Sequence, residues 1–186
     1  MVLHSHAPEW SYEETRSRLL AIPNSHMKQF AVMSYVAGCR INEIRRIERK
    51  NVVNKPGSDG VKRILLTYPA EKNPHIETRT IPVNTLEERW YALVIKEWYN
   101  DPENKRVKYP FYRFSERWYR MKIREYLDIH PHAFRHLRVH HVDDKSVPGM
   151  KSLTPRQYQD YFGWETIATS SRYQSRTRAR DLADNF

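Results

Sequence analysis

The chain has a single cysteine, Cys39, among 186 residues. One thiol excludes an internal disulfide and any zinc site built from several cysteines, and it fits a reducing compartment. Long hydrophobic runs are also missing. The longest, Phe30 to Cys39, is interrupted by Ser34 and is too short to cross a bilayer, so no membrane association is expected. The opening MVLHSHAPEW has no charged stretch followed by an apolar core, so no secretory leader is expected either. Internal repeats and low-complexity tracts are absent. Acidic residues are in deficit: 22 stand against 32 lysines and arginines, giving a formal net charge of +10 and a pI of about 9.7. That excess runs along the chain, with arginine dominating the second half. It points to a polyanionic partner, nucleic acid first, with a merely solvated basic surface as the alternative. A cytoplasmic, nucleoid-associated protein is expected.

What is present reads as one mostly helical domain with a small sheet. Ser11 is placed to cap a helix, with Glu13 and Glu14 in its first turn where carboxylates suit the positive end. Asn24 or Ser25 caps a second helix through Ala37, nearly free of charge and therefore buried, and Gly38 ends it. Ile41, Ile44 and Ile47 then resume helical spacing. The period changes in the middle. Asn51 to Val53, Val61 to Thr67 and Thr78 to Val83 are short β-rich runs separated by turn compositions, so a three-stranded antiparallel sheet is expected. Thr85 caps a helix to Tyr99, Asp101 to Asn104 reads as a loop, and Ser115 opens a helix to Tyr126. Pro131 stands at a first helical position of a helix through about Val142, and Thr154-Pro155 starts one that ends at Gly163. The fold class is α+β, mainly α.

Several side chains invite a chemical reading, and each has a plainer one beside it. Tyr173 follows a hydroxyl-rich stretch and is surrounded in sequence by Arg172, Arg176, Arg178 and Arg180, cations that lower a phenol's pKa toward that of a nucleophile. Its plain reading is a packed tyrosine. Arg40 and Arg135 have apolar flanks (Ile41; Phe134 and Leu137), which suggests half-buried guanidiniums able to fork onto one phosphate. The alternative is structural ion pairing, with Glu43 three residues beyond Arg40 as the obvious partner. His132, His136 and His140 recur every fourth residue beside His141. A metal site is one reading, but no His-Glu-x-x-His motif accompanies them, and phosphate bonding or proton transfer by His132 suits the basic context better. His140 and His141 read as packing residues. Lys72 lies on a Pro/Asn turn between two strands, either solvated or placed to protonate a leaving oxygen.

Taken together, four stretches resemble the catalytic domain of the tyrosine recombinases, the phage-integrase family. Ala37-Gly38-Cys39-Arg40-Ile41-Asn42-Glu43-Ile44 looks like the family's first box, Thr-Gly-x-Arg-Ile-Ser-Glu-Leu. Glu71-Lys72-Asn73 with Arg79-Thr80-Ile81-Pro82-Val83 looks like its hairpin lysine and following strand. Pro131-His132-Ala133-Phe134-Arg135-His136 is similar to its Pro-His-x-Leu-Arg-His box. Phe162-Gly163-Trp164, with Tyr173 nine residues on, fits its last box. The four occur in order over nearly the whole chain.

The resemblance implies a role for each matched residue. Arg40 and Arg135 would clamp the scissile phosphate, with Glu43 and His136 in support. His132 and Trp164 would bond or buttress it, Lys72 would be the general acid for the leaving 5′-hydroxyl, and Tyr173 would attack to give a 3′-phosphotyrosyl link. No metal or other cofactor is implied. The implied partner is double-stranded DNA, bound by a homo-oligomer, a tetramer, that is weakly associated or monomeric without it. Strand cleavage by a type IB topoisomerase or telomere resolvase, and a non-catalytic DNA-binding relative, are the other readings. Departures from the pattern are Trp164 in place of the more frequent histidine and a long connection from His141 to Thr154. Only about ten residues precede the first helix, so residues 1–186 are expected to hold the catalytic domain without the family's N-terminal core-binding domain. Weak, salt-sensitive DNA binding is the corresponding expectation. The tail Gln174 to Phe186, with Leu182 and Phe186, is expected to dock on a neighbouring protomer.

Overall fold

The computed structural model describes residues 8–56, 60, 62–69, 78–84, 89–149 and 153–163. Its organising element is a helix with almost nothing polar to show to water. Helix α2 (Ser25–Ala37) buries Met27, Phe30 to Ala37 and even Gln29. A helix apolar on every side is stable only when others surround it. Here α1 (Tyr12–Leu20), the short α3 (Ile41–Arg45), α4 (Arg89–Asn100), α6 (Glu116–Leu127) and α7 (Ala133–Asp143) all pack on α2. The remaining helices are α5 (Pro102–Lys105) and α8 (Pro155–Phe162), and single 3₁₀ turns occupy Arg49–Asn51 and Pro110–Arg113.

The ends of these helices follow from local chemistry. Ser11 accepts from the Glu14 N–H, Asn24 from Met27, Ser115 from Trp118, and Thr154 from Gln157, whose side chain answers the Thr154 N–H to complete a capping box. Gly38 and Gly163 close α2 and α8 in the left-handed conformation, at φ +53° and +60°. Asp101 to Asn104, expected as a loop, instead carries α5: Asp101 caps the Glu103 N–H and Pro102 stands in the first turn. The helix expected from Pro131 begins two residues later, because Pro131 and His132 form a turn in which Ala133 bonds back to the His130 carbonyl at 2.8 Å. His132 is thus the residue before α7, one turn ahead of His136, rather than a member of a histidine stripe within the helix.

Strands β1 (Val52–Pro56), β2 (Lys62–Pro69) and β3 (Thr78–Asn84) form an antiparallel sheet in the order β1-β2-β3. Val52 is paired with Leu66, and Leu66 in turn with Ile81. Along β2, Ile64, Leu66 and Tyr68 are buried at every second position, the signature of one covered face. The Tyr68 hydroxyl reaches the Ala37 carbonyl at 2.9 Å, tying the sheet to the last turn of α2. That contact places the sheet beside the chain segment that leads to Arg40.

Candidate active site

Three segments far apart in sequence meet where α2 ends. Arg135, on α7, is 2% exposed, an unusual position for a cation. One terminal nitrogen donates to the Gly38 carbonyl at 3.0 Å and the other to the Phe162 carbonyl. The guanidinium therefore clasps the turn after α2 and the last residue of α8 together. Hydrogen bonds from a charged group contribute about 1.5–3 kcal/mol each, which makes this clasp a principal fastening of the region. The planar fork suits two acceptors at once, as an ammonium does not.

Arg40 sits two residues beyond the clasped Gly38, in extended backbone at the N-cap of α3. Glu43, 1% exposed, accepts from the Arg40 backbone N–H at 2.7 Å with one carboxylate oxygen and from its guanidinium at 3.1 Å with the other. The ion pair considered from the sequence is present. Its geometry leaves the Arg40 side chain about a quarter exposed (28%) beside a buried carboxylate. Glu43 holds the arginine rather than hiding it.

His132 is half-buried and shares this neighbourhood. Its pKa is lowered from 6.5 to about 4, first by burial and then by the positive surroundings of His136, Arg135, Arg40 and His130. Both arginines thus act on the same imidazole, which is neutral at physiological pH while no anion is near. The His132 and His136 rings meet edge to face, 4.7 Å between centroids. Arg40, Glu43, His132, Arg135 and His136 are brought together. Lys72, Trp164 and Tyr173 lie outside the described residues. The clasp on the Phe162 carbonyl nevertheless fixes where the chain stands two residues before Trp164.

His141 is 2% exposed, accepts from the Tyr35 hydroxyl at Nδ1 (2.6 Å) and donates from Nε2 to the Trp10 carbonyl (2.8 Å), a packing role. Among the described residues no group of three His, Cys, Asp or Glu side chains is arranged to hold a metal. The apolar groove of about 600 Å³ between β1 and α4, lined by Val53, Leu93 and Tyr99 among others, contains none of the candidate residues. Sequence reasoning missed a second buried arginine. Arg138, one turn beyond Arg135, donates to the Tyr161 hydroxyl at 3.2 Å, which in turn bonds the Val36 carbonyl at 3.1 Å, so α7, α8 and α2 are stitched twice. A cation within an apolar helical run was the available signal.

No family model matches the sequence, and no curated protein matches it. Solved structures do match in fold. The XerH site-specific recombinase bound to difH substrate in a pre-cleavage complex is 14% identical with a TM-score of 0.62, over 94% of this chain and 51% of that one. Its post-cleavage complex on palindromic difH gives 13% and 0.67, over 95% and 52%. The Tn1549 transposon integrase in complex with a circular intermediate DNA gives 15% and 0.53, over 96% and 67%. The chain spans about half the length of the first two. It has the fold of the tyrosine-recombinase catalytic domain, mainly helical with a small antiparallel sheet. Among the described residues no helix is long and apolar enough to cross a membrane.

Proposed function

We propose that residues 1–186 are the catalytic domain of a DNA strand-breaking and rejoining enzyme, a site-specific recombinase or integrase. The observation that carries this reading is the meeting of Arg40, His132 and Arg135 at one junction, on a fold whose solved examples include recombinases with DNA bound. Arg40, about a quarter exposed and braced by Glu43, binds a non-bridging oxygen of the scissile phosphate. Arg135, whose guanidinium also fastens the fold, stabilises the charge that develops on that phosphate. Neutral His132 donates one hydrogen bond to the phosphate and takes up positive character as negative charge grows beside it. Trp164 adds its indole N–H and packing.

Tyr173 gives up its phenolic proton to water and attacks the phosphorus, forming a tyrosyl O–P bond while the bond to the 5′-oxygen breaks. Lys72 delivers a proton to that oxygen, which leaves as a 5′-hydroxyl. The phosphodiester energy is kept in the 3′-phosphotyrosyl link, so a 5′-hydroxyl from another strand reverses the step without a nucleotide cofactor. The working form is a homo-oligomer, a tetramer, on double-stranded DNA. A nicked suicide duplex that loses its 5′-hydroxyl fragment after cleavage tests the reading. The native chain is expected to accumulate a covalent protein–DNA adduct and Tyr173→Phe none. DNA binding without any adduct, on every duplex tried, leaves a DNA-binding protein and removes the enzyme.

A further inference from the structure

A second basic pair lies beside His132, and its hydrogen-bond chemistry is incomplete. The His132 backbone N–H points to Nδ1 of His130 at 3.2 Å, and a guanidinium nitrogen of Arg120, on α6, stands 3.0 Å from Nε2 of the same ring. A backbone amide and a guanidinium can only donate. A neutral imidazole has one nitrogen that accepts, so one of the two contacts always sets donor against donor. The His130 pKa is lowered, by burial first and then by Arg120, so the ring is neutral at physiological pH. With Nδ1 receiving the amide, the proton sits on Nε2 and faces the guanidinium.

Arg120 is held in this awkward place from behind. Glu116 accepts from Arg120 Nε at 2.7 Å and from a terminal nitrogen as well, while its other oxygen accepts from Asn42 Nδ2 at 2.9 Å. Asn42 is two residues from Arg40 on α3. The Glu116 carboxyl is held below its ordinary range chiefly by Arg120, so it stays charged and keeps its grip. The Arg120 side chain remains 43% exposed and His130 is exposed too, so a ligand can reach both.

We propose that His130 Nε2–H and the Arg120 guanidinium form a phosphate seat, filled by a DNA backbone phosphate next to the one proposed to be cleaved. One phosphate oxygen between the two donors satisfies both and relieves the conflict between them. Because Glu116 and Asn42 connect the seat to α3, and the His130 ring to the His132 amide, filling it also steadies the segments that carry Arg40 and His132. The inference rests on the DNA reading above but is tested apart from cleavage.

The test is duplex binding by the whole chain across a salt series, with Arg120→Ala, Arg120→Lys and His130→Ala. Arg120→Ala is expected to weaken binding on all sequences alike and to lower the slope of log affinity against log salt by about one, the value for one lost phosphate contact. Arg120→Lys is expected to keep the slope. His130→Ala, which removes no charge at pH 7.5, is expected to weaken binding about three- to tenfold with the slope unchanged. Unaltered binding by His130→Ala overturns the seat, as does an Arg120→Ala loss that depends on base sequence, which would assign Arg120 to a base edge. Native protein that binds as described yet forms no adduct refutes the enzyme reading and leaves the seat standing.

Discussion

Arg135 fastens the fold and, in the proposed function, also acts on the phosphate. Removing its guanidinium strands two backbone carbonyls in a region from which water is excluded, at about 1–3 kcal/mol each. Arg135→Ala is therefore expected to lower stability by about 3–5 kcal/mol in urea denaturation, whereas Arg135→Lys, which cannot span both carbonyls, keeps part of the stability and loses cleavage. The position was legible in the sequence as an arginine with apolar neighbours. Its partners were not, because backbone carbonyls leave no mark in residue identity. His132 and His26 titrate far from the ordinary histidine range, each lowered to about 4 with burial as the leading cause, and His130 and His141 are lowered as well. A group whose folded pKa lies below its unfolded value of about 6.5 stabilises the fold above that pH. It withdraws that stability as pH falls toward 4, since the unfolded chain takes up protons first. The urea midpoint is accordingly expected to be flat from pH 8 to 7 and to drop between about pH 6.5 and 4. A midpoint constant down to pH 5 would refute the burial of these rings.

The turn after α2 is the element on which the site depends. Gly38 is left-handed, and a Cβ there would stand 2.7 Å from Phe162 Cε1, so α8 packs directly against the bare backbone of the turn. Gly38→Ala meets both a conformational penalty and a clash with a buried ring. It is expected to cost about 2–4 kcal/mol and to shift the thermal midpoint down by several degrees, whereas Gly60→Ala, with nothing within 4 Å, suffers the backbone strain alone. Helix ends were the best-read features at this scale, because Ser11, Asn24, Ser115, Thr154 and the two closing glycines act through local geometry. The start of α7 was read two residues early, since a proline suits a first helical turn and a preceding turn equally. Helix α5 was missed because four residues leave no periodicity to detect.

Across the molecule, a net charge of +10 pointed to a polyanionic partner and four ordered boxes to one fold, and solved structures match that fold at 13–15% identity. The four boxes were read from their residues, order and spacing in this sequence. The contacts that bring Gly38, Arg135 and Phe162 together lie at the end of α2, whose sequence announces only that it is buried. Asn42, Glu116, Arg120 and His130 went unread for a related reason: an exposed Glu–Arg pair four residues apart on a helix usually does no more than shed a few tenths of a kcal/mol. The central claim is that a phosphate held by Arg40, His132 and Arg135 is attacked by Tyr173. Peptide mapping of the protein–DNA adduct by mass spectrometry tests it most directly. The account predicts a nucleotide phosphate esterified to Tyr173, with the yield abolished in Arg40→Ala. An adduct on any other residue, or one that forms equally well without Arg40, would contradict it.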